Sequence, residues 1–331
     1  MKTVLAGVHP WRHDLAGCLH ACAATLLRFH GIPPLDALGS AWSFYYPPDD
    51  YRQEEYYFPC SPGRSLLSAL APYHPVRSQW YQPADAAAGW EQVRARIAAG
   101  QPAAVAVDNF YLPFRPAYHD VHANHLIVVY GFDDEAGTAR VLDSVPPRFN
   151  GDIALTDLTA ARDSSNPAEG DRDMFFADQR IGNRWLAAEA DSSEPPGRDR
   201  VRDHLRRNVS GFAAAVPHQG MAGLRGFLGG MEERLAAGEQ VSDELFVVAG
   251  TALAVTALHA DWLMLGGRAY GEPAWTELGR QVKRIAHHWT AIRIMAALTR
   301  SGEVPVGRLR HRHRALLHDQ ECVLADMAEV S

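Results

Sequence analysis

Between residues 124 and 143 the chain reads Asn-His-Leu-Ile-Val-Val-Tyr-Gly-Phe-Asp, then Asp-Glu-Ala-Gly, then Thr-Ala-Arg-Val-Leu-Asp. Two short runs rich in branched and aromatic residues flank a glycine-terminated turn, which predicts a β-hairpin over 124–133 and 138–143. This hairpin constrains what the rest of the chain can do. Antiparallel pairing sets the start of the first strand beside the end of the second, so His125 and Asp143 fall at the same open end of the ladder. A carboxylate there can hold one imidazole nitrogen and leave the other to take a proton from a nucleophile.

A candidate nucleophile lies a hundred residues earlier. Residues 16–31 read as a helix: Leu19, Cys22, Ala23, Leu26 and Leu27 share one face, and Gly31, Pro33 and Pro34 stop it. Cys18 falls in the first turn, where unpaired backbone N–H groups and the positive end of the helix dipole favour a thiolate. Cys22, one turn further on, faces inward and is read as core. Cysteine at a helix N-terminus, histidine on a strand and an acid on the next strand, in that order, is the arrangement of papain-like enzymes.

Competing assignments sit close by. His122 competes with His125 for the role of base, while Asp133 and Asp134 lie at the turn, the wrong end of the hairpin for the orienting acid. His119, His122 and His125 recur at three-residue intervals, which invites a metal reading. The apolar run after them is strand-like, however, and no metal or cofactor is predicted.

Elsewhere the pattern is mixed. A strand is predicted over 3–8, helices over 65–70 and 90–99, a buried strand over 102–108, a strand or loop over 149–155 and a capped helix over 156–162. Residues 40–60 are crowded with Trp42, Phe44, Tyr45, Tyr46, Tyr51, Tyr56, Tyr57 and Phe58. Such a loop either walls an acyl pocket or is pinned to the core by its rings. Trp42, Phe44 and Tyr45, with Tyr111 in the loop after the buried strand, are the substrate-binding candidates.

Beyond a Ser/Glu/Pro/Gly-rich stretch the chain turns helical. One helix starts near Pro273 and carries Trp275, Leu278, Val282, Ile285, Trp289, Ile292 and Ala296 as an apolar stripe. Another begins at Asp243 with Ser242 as N-cap and ends at Gly266-Gly267, and others cover 309–327 and 221–235, the last weakened by Gly226, Gly229 and Gly230. The expected class is α+β: a papain-like cysteine protease fold over 1–187, a linker over 188–200 and an α-helical domain over 201–331.

The residues that carry the chemistry also carry a resemblance. Gly17-Cys18 with the helix ending Leu26-Leu27-Arg28-Phe29-His30-Gly31, the run from Val107-Asp108 to Pro113, and His122-Ala-Asn-His125 continuing to Gly131-Phe-Asp133 and Val141-Leu-Asp143 resemble the butirosin-biosynthesis acyltransferase family. The resemblance covers about the first 185 residues. It implies a papain-like domain often accompanied by a helical one. It also implies an acyl group taken from a carrier-protein thioester onto cysteine and passed to an amine, in antibiotic and other secondary metabolism. Carried over, Cys18 would be the nucleophile, His125 the general base and acid, and Asp143 the orienting acid.

In one respect the chain departs from that pattern. Many papain-like enzymes place a glutamine about six residues before the cysteine to donate to the oxyanion. Here Arg12 and His13 occupy that region, and they stand as oxyanion candidates beside the Cys18 backbone N–H.

The expected function is a cysteine-dependent acyltransferase whose partners are an acyl carrier protein and a small-molecule amine. The alternatives are a cysteine peptidase, amidase or thioester hydrolase with the same triad, and a non-catalytic protein that binds a carrier or other partner. Two basic clusters, Arg198, Arg200, Arg202, Arg206 and Arg207, and Arg308 through Arg314, offer either carrier docking or solvated helix faces. A formal net charge of -7, from 32 basic and 39 acidic residues, disfavours nucleic acid as a partner. No run of eighteen apolar residues is found, and the opening residues do not read as a secretory signal, so no membrane association is expected. Cys18, Cys22, Cys60 and Cys322 form no Cys-x-x-Cys pair, which suits a reduced, cytoplasmic protein. The tryptophan stripe is a candidate homodimer surface.

Overall fold

The structure is a computed structural model that describes residues 1–46, 70, 73–167, 180–190, 197–299 and 306–331. Tyr51, Tyr56, Tyr57, Phe58 and Cys60, most of the helix predicted at 65–70, and linker residues 191–196 lie outside the described residues. In chain order the first elements are β1 (Lys2–Val4), α1 (Cys18–Phe29), α2 (Pro34–Ser40), β2 (Val76–Tyr81), α3 (Ala86–Ala98) and β3 (Ala103–Asp108). Then come β4 (Asn124–Asp133), β5 (Thr138–Asp143), β6 (Phe149–Ala154), α4 (Leu155–Asp163) and β7 (Trp185–Ala190). Five helices follow: α5 (Arg198–Ala213), α6 (Gly220–Ala236), α7 (Ser242–Tyr270), α8 (Pro273–Thr299) and α9 (Val306–Val330).

The architecture is α+β, and the chain divides into two compact units. One comprises Met1–Pro34 with Pro75–Ser193, the other Leu35–His74 with Glu194–Ser331. A single cut at 188–200 does not describe this division. Strand β7 runs through residue 188 to Ala190, and the segment after α1 belongs with the helices.

The first unit is built on an antiparallel sheet in the order β2-β7-β3-β4-β5-β6, with β1 pairing the far end of β4. Every residue of β3 is buried, so both faces of the sheet centre are covered, which explains its unbroken apolar run. Val93 and Ile97 of α3 and Leu158 and Ala161 of α4 share one core with Val105, Val107, Ile127, Val129 and Val141. Asp85 caps α3 through its side chain, accepting from the Ala88 N–H at 2.8 Å. Helix α4 has no such cap, because it starts directly from β6 at Ala154, ahead of the predicted Thr156.

The hairpin forms as β4 and β5, paired through Val128↔Leu142 and Val129↔Val141, with an irregularity between Val129 and Gly131. The Val129↔Val141 register sets Asp143 on the same face as residues 125 and 127, diagonal to His125. A slip of one residue would send Asp143 to the other face.

The second unit is helical. Leu245, Val248, Leu253 and Leu263 of α7 pack with Trp275, Val282, Ile285, Trp289 and Ile292 of α8, and Leu309, Leu316 and Val323 of α9 complete the core. Trp275 and Trp289 are 1% and 2% exposed, so the tryptophan stripe is buried within this unit rather than presented as a surface. Helix α7 runs past the predicted stop at Gly266-Gly267 to Tyr270, where Gly271 takes the left-handed C-terminal conformation. Gly267 serves close approach instead: a Cβ there would lie 2.3 Å from the Thr276 hydroxyl at the start of α8. Among the described helices α7 alone is long and apolar enough to cross a membrane, and 78% of its apolar window is buried inside the protein. Ser242 opens α7 without a side-chain capping bond; the N-cap position is Val241.

Candidate active site

Cys18 is the first residue of α1, and its N-cap, Gly17, makes no side-chain capping bond. The Cys18 thiol is partly exposed. Cys22 is buried, and burial, then the charges of Cys18 and Asp143, push its thiol well above the ordinary range, which leaves it inert.

His125 and Asp143 meet at the open end of the hairpin. The His125 Nε2 lies 2.8 Å from Asp143 Oδ2, and the two side chains are 5% and 1% exposed. With Nε2–H donating to the carboxylate, Nδ1 is the nitrogen left free, and the Cys18 thiol is near enough to add to the ring's hold on its proton. Burial alone lowers the imidazole's proton affinity. The Asp143 charge and hydrogen bond, with a further contribution from Cys18, outweigh burial and carry the His125 pKa to about 9.

Asp143 is held on three sides. Its Oδ1 accepts from the Val145 N–H at 2.9 Å, and Oδ2 is shared between His125 and Nη1 of Arg115 at 3.1 Å. The same Nη1 lies 3.2 Å from the Val145 carbonyl oxygen. Arg115 went unremarked in the sequence, since a lone arginine in the loop after β3 has no local signature.

His122 has a partner of its own. Its Nδ1 lies 2.6 Å from Oδ2 of Asp108, which is fully buried and also accepts from the Ser164 hydroxyl at 2.6 Å. The other oxygen, Oδ1, accepts from the N–H groups of Phe110 and Ala123, and the Phe110 ring stacks on His122 at 4.1 Å. This network ties the two ends of the loop between β3 and β4 together. His119, at φ 54°, stacks on Tyr118. The three histidines therefore do not converge as metal ligands would.

The oxyanion candidates sit in the approach to α1. His13 is near enough to His20 in the first turn to add to the burial that drives the His20 pKa to about 3, and its Nδ1 accepts from the Leu15 N–H. Arg12 faces Asp14 at 3.9 Å and stays largely covered.

The aromatic candidates separate. Trp42 and Phe44 are core residues of the helical unit, 2% and 5% exposed. Trp42 stacks on His259 and donates through Nε1 to the Thr256 hydroxyl at 3.3 Å, and Phe44 stacks on Trp289. Their large apolar area and the indole donor are both satisfied inside that core. Tyr45 packs against the same core and its backbone bridges to Gln219. Tyr111 belongs to the first unit, edge-on to the His122 ring at 6.1 Å.

Residues 17–144 match the family model described as butirosin biosynthesis protein H, N-terminal. The match begins one residue before Cys18 and ends one after Asp143. No curated protein matches the chain.

Proposed function

We propose, from the match of residues 17–144 to the butirosin biosynthesis protein H N-terminal family model, that this protein is a cysteine-dependent acyltransferase of secondary metabolism with a papain-like catalytic unit. The observation that carries the reading is the meeting of Cys18, His125 and Asp143, three residues from three elements, at one end of the sheet.

In the proposed cycle the Cys18 sulfur attacks the carbonyl carbon of an acyl thioester, forming a C–S bond and a tetrahedral oxyanion. The N–H groups of the first turn of α1 are the proposed donors to that oxyanion, with His13 or Arg12 as side-chain candidates from the approach to the helix. Collapse breaks the bond to the donor's thiolate, which leaves with the proton held by the His125 imidazolium. An amine then attacks the acyl-enzyme and gives its proton to His125, and the returning electron pair frees the Cys18 sulfur. An imidazole held at a raised pKa by Asp143 suits the first half, in which a proton must be ready for the leaving thiolate.

The donor we propose is a carrier-protein thioester, and the charge distribution of the helical unit favours one docking face. On α5, Arg198 and Arg202 pair with Glu272, Arg206 pairs with Asp203, and Arg200 binds the Tyr73 carbonyl. On α9, Arg308 and His311 make no hydrogen bond or ion pair among the described residues. They line a cleft of about 290 Å³ with Arg312 and the apolar side chains of Ala291, Ile294, Met295 and Leu298. A basic rim over an apolar floor is complementary to an acidic amphipathic helix, the kind of surface an acidic carrier presents.

Intact-mass spectrometry after mixing the protein with a panel of acyl-pantetheine thioesters tests the reading. The expected result is a mass increase equal to the acyl group that is absent in Cys18→Ala and is discharged by an amine. Discharge by water alone at the same rate would make the protein a hydrolase, and no adduct across the panel would overturn the covalent mechanism.

A further inference from the structure

We infer that Arg115 is a positioning residue that acts through Asp143 on His125. The inference deepens the reading of Cys18, His125 and Asp143 as a catalytic set and rests on it. Arg115 is 11% exposed, and its Nη1 is the second donor on the same carboxylate oxygen, Oδ2, that holds the His125 ring. With Oδ1 engaged by the Val145 N–H, both oxygens are tied, and the carboxylate cannot rotate without breaking a hydrogen bond.

The contact has an electrostatic consequence as well. A guanidinium fixed 3.1 Å from Oδ2 draws negative charge away from the imidazole and lowers the hold of the His125–Asp143 pair on its proton. The proposed cycle needs that restraint, because His125 must release its proton to the leaving thiolate and later accept one from the amine. Among the described residues, the charged and titratable groups set against the pair are Arg115 from the loop before β4, and Cys18 and Cys22 from α1, and of these Arg115 is the fixed cation.

A purely structural role is the competing account, since Nη1 also lies within 3.2 and 3.4 Å of the Val145 and Pro146 carbonyl oxygens. The two accounts separate in the pH dependence of iodoacetamide alkylation at Cys18, followed by peptide mass spectrometry beside a thermal unfolding measurement. Arg115→Met is expected to move the inflection that belongs to the His125–Asp143 pair upward by about one pH unit. Arg115→Gln keeps donors for the carbonyls without the charge, and the same upward shift is expected. Arg115→Lys keeps the charge without the planar fork and should return most of the inflection towards its original position. An inflection that stays in place in folded Arg115→Gln, with only the unfolding temperature lowered, would show a loop brace and overturn the inference. Failure of the underlying triad reading would show in the unaltered protein: Cys18 would react no faster than exposed Cys322, with no inflection from His125, and the inference would fall with it.

Discussion

The His125 Nε2 and the Asp143 Oδ2 lie 2.8 Å apart, both buried, at the diagonal positions that the β4–β5 register assigns them. Neither is adjacent to the other in sequence, and neither could be moved by one residue along its strand without losing the contact. The pair raises the pKa of the imidazole while fixing which ring nitrogen is left for the thiol.

That raised pKa has a pH signature in stability. Burial works against protonation, but Asp143 outweighs it and brings the folded value from 6.5 to about 9. A group held above its unfolded value contributes stability that is fully present below pH 6.5 and is lost as the pH rises through about 9. The unfolding temperature of the wild type should therefore fall across that window more steeply than that of His125→Gln. Parallel curves for the two proteins would contradict the pairing.

Asp143→Asn retains the size of the side chain and removes its charge. Acyl loading of Cys18 should slow by roughly 10²- to 10⁴-fold, as expected when a base loses its orienting carboxylate. The check is the rate of adduct formation by mass spectrometry, and a rate within threefold or so of wild type would place the orienting role elsewhere.

His122 and Asp108 are expected to behave as structure. Removing the ring in His122→Ala takes one donor from the buried Asp108 Oδ2, at a cost of about 1–3 kcal/mol in chemical denaturation. The alkylation profile of Cys18 should hold its shape in the folded variant. Loss of the His125 inflection on changing His122 would instead mean that the two histidines act together.

Trp42→Ala should destabilise the helical unit by about 3–5 kcal/mol, because it empties a filled site between Phe212 and His259. Acyl selectivity at a temperature where the variant is folded should stay unchanged. A change in preferred acyl length would return Trp42 to the substrate pocket.

Charge reversal on the α9 rim tests the docking proposal. Arg308→Glu should slow transfer from a carrier-bound thioester by up to about tenfold at low salt, the scale of one exposed charge pair reversed. Transfer from free pantetheine thioesters should be unaffected. Arg206→Glu on α5, where the charge is already paired with Asp203, serves as the comparison. Equal effects of both substitutions, or none from either, would remove α9 as the docking face.

Much of the first unit was legible because its signals are local. The hairpin appears at 124–133 and 138–143 as its run lengths and turn chemistry predict, and the cysteine helix, read over 16–31, runs from Cys18 to Phe29. Strands β2 and β7 were missed: β2, Val-Arg-Ser-Gln-Trp-Tyr, is only half apolar, and β7 overlaps a stretch read as linker. The helix α5 was likewise hidden in a run read mainly for its charge. The stop placed at Gly266-Gly267 failed because a glycine that ends a helix and a glycine that lets another helix approach look alike in sequence.

By itself, the sequence determined the local order of elements, the hairpin and hence the shared open end of His125 and Asp143, and the position of Cys18 in the first turn of a helix, whereas the register that puts Asp143 on the face of His125 depends on the irregularity between Val129 and Gly131. These follow from side-chain periodicity and backbone preference over ten or twenty residues. Only the tertiary structure decided that Arg115 closes on Asp143, that His122 turns to Asp108 and Ser164, and that Trp42 and Phe44 are buried with the helices. Each of those depends on which groups meet across the fold, as the Trp42 N–H does with Asn208 across 166 residues of chain. A buried polar or aromatic group takes the partner that satisfies it in the packed state, and no local pattern names that partner.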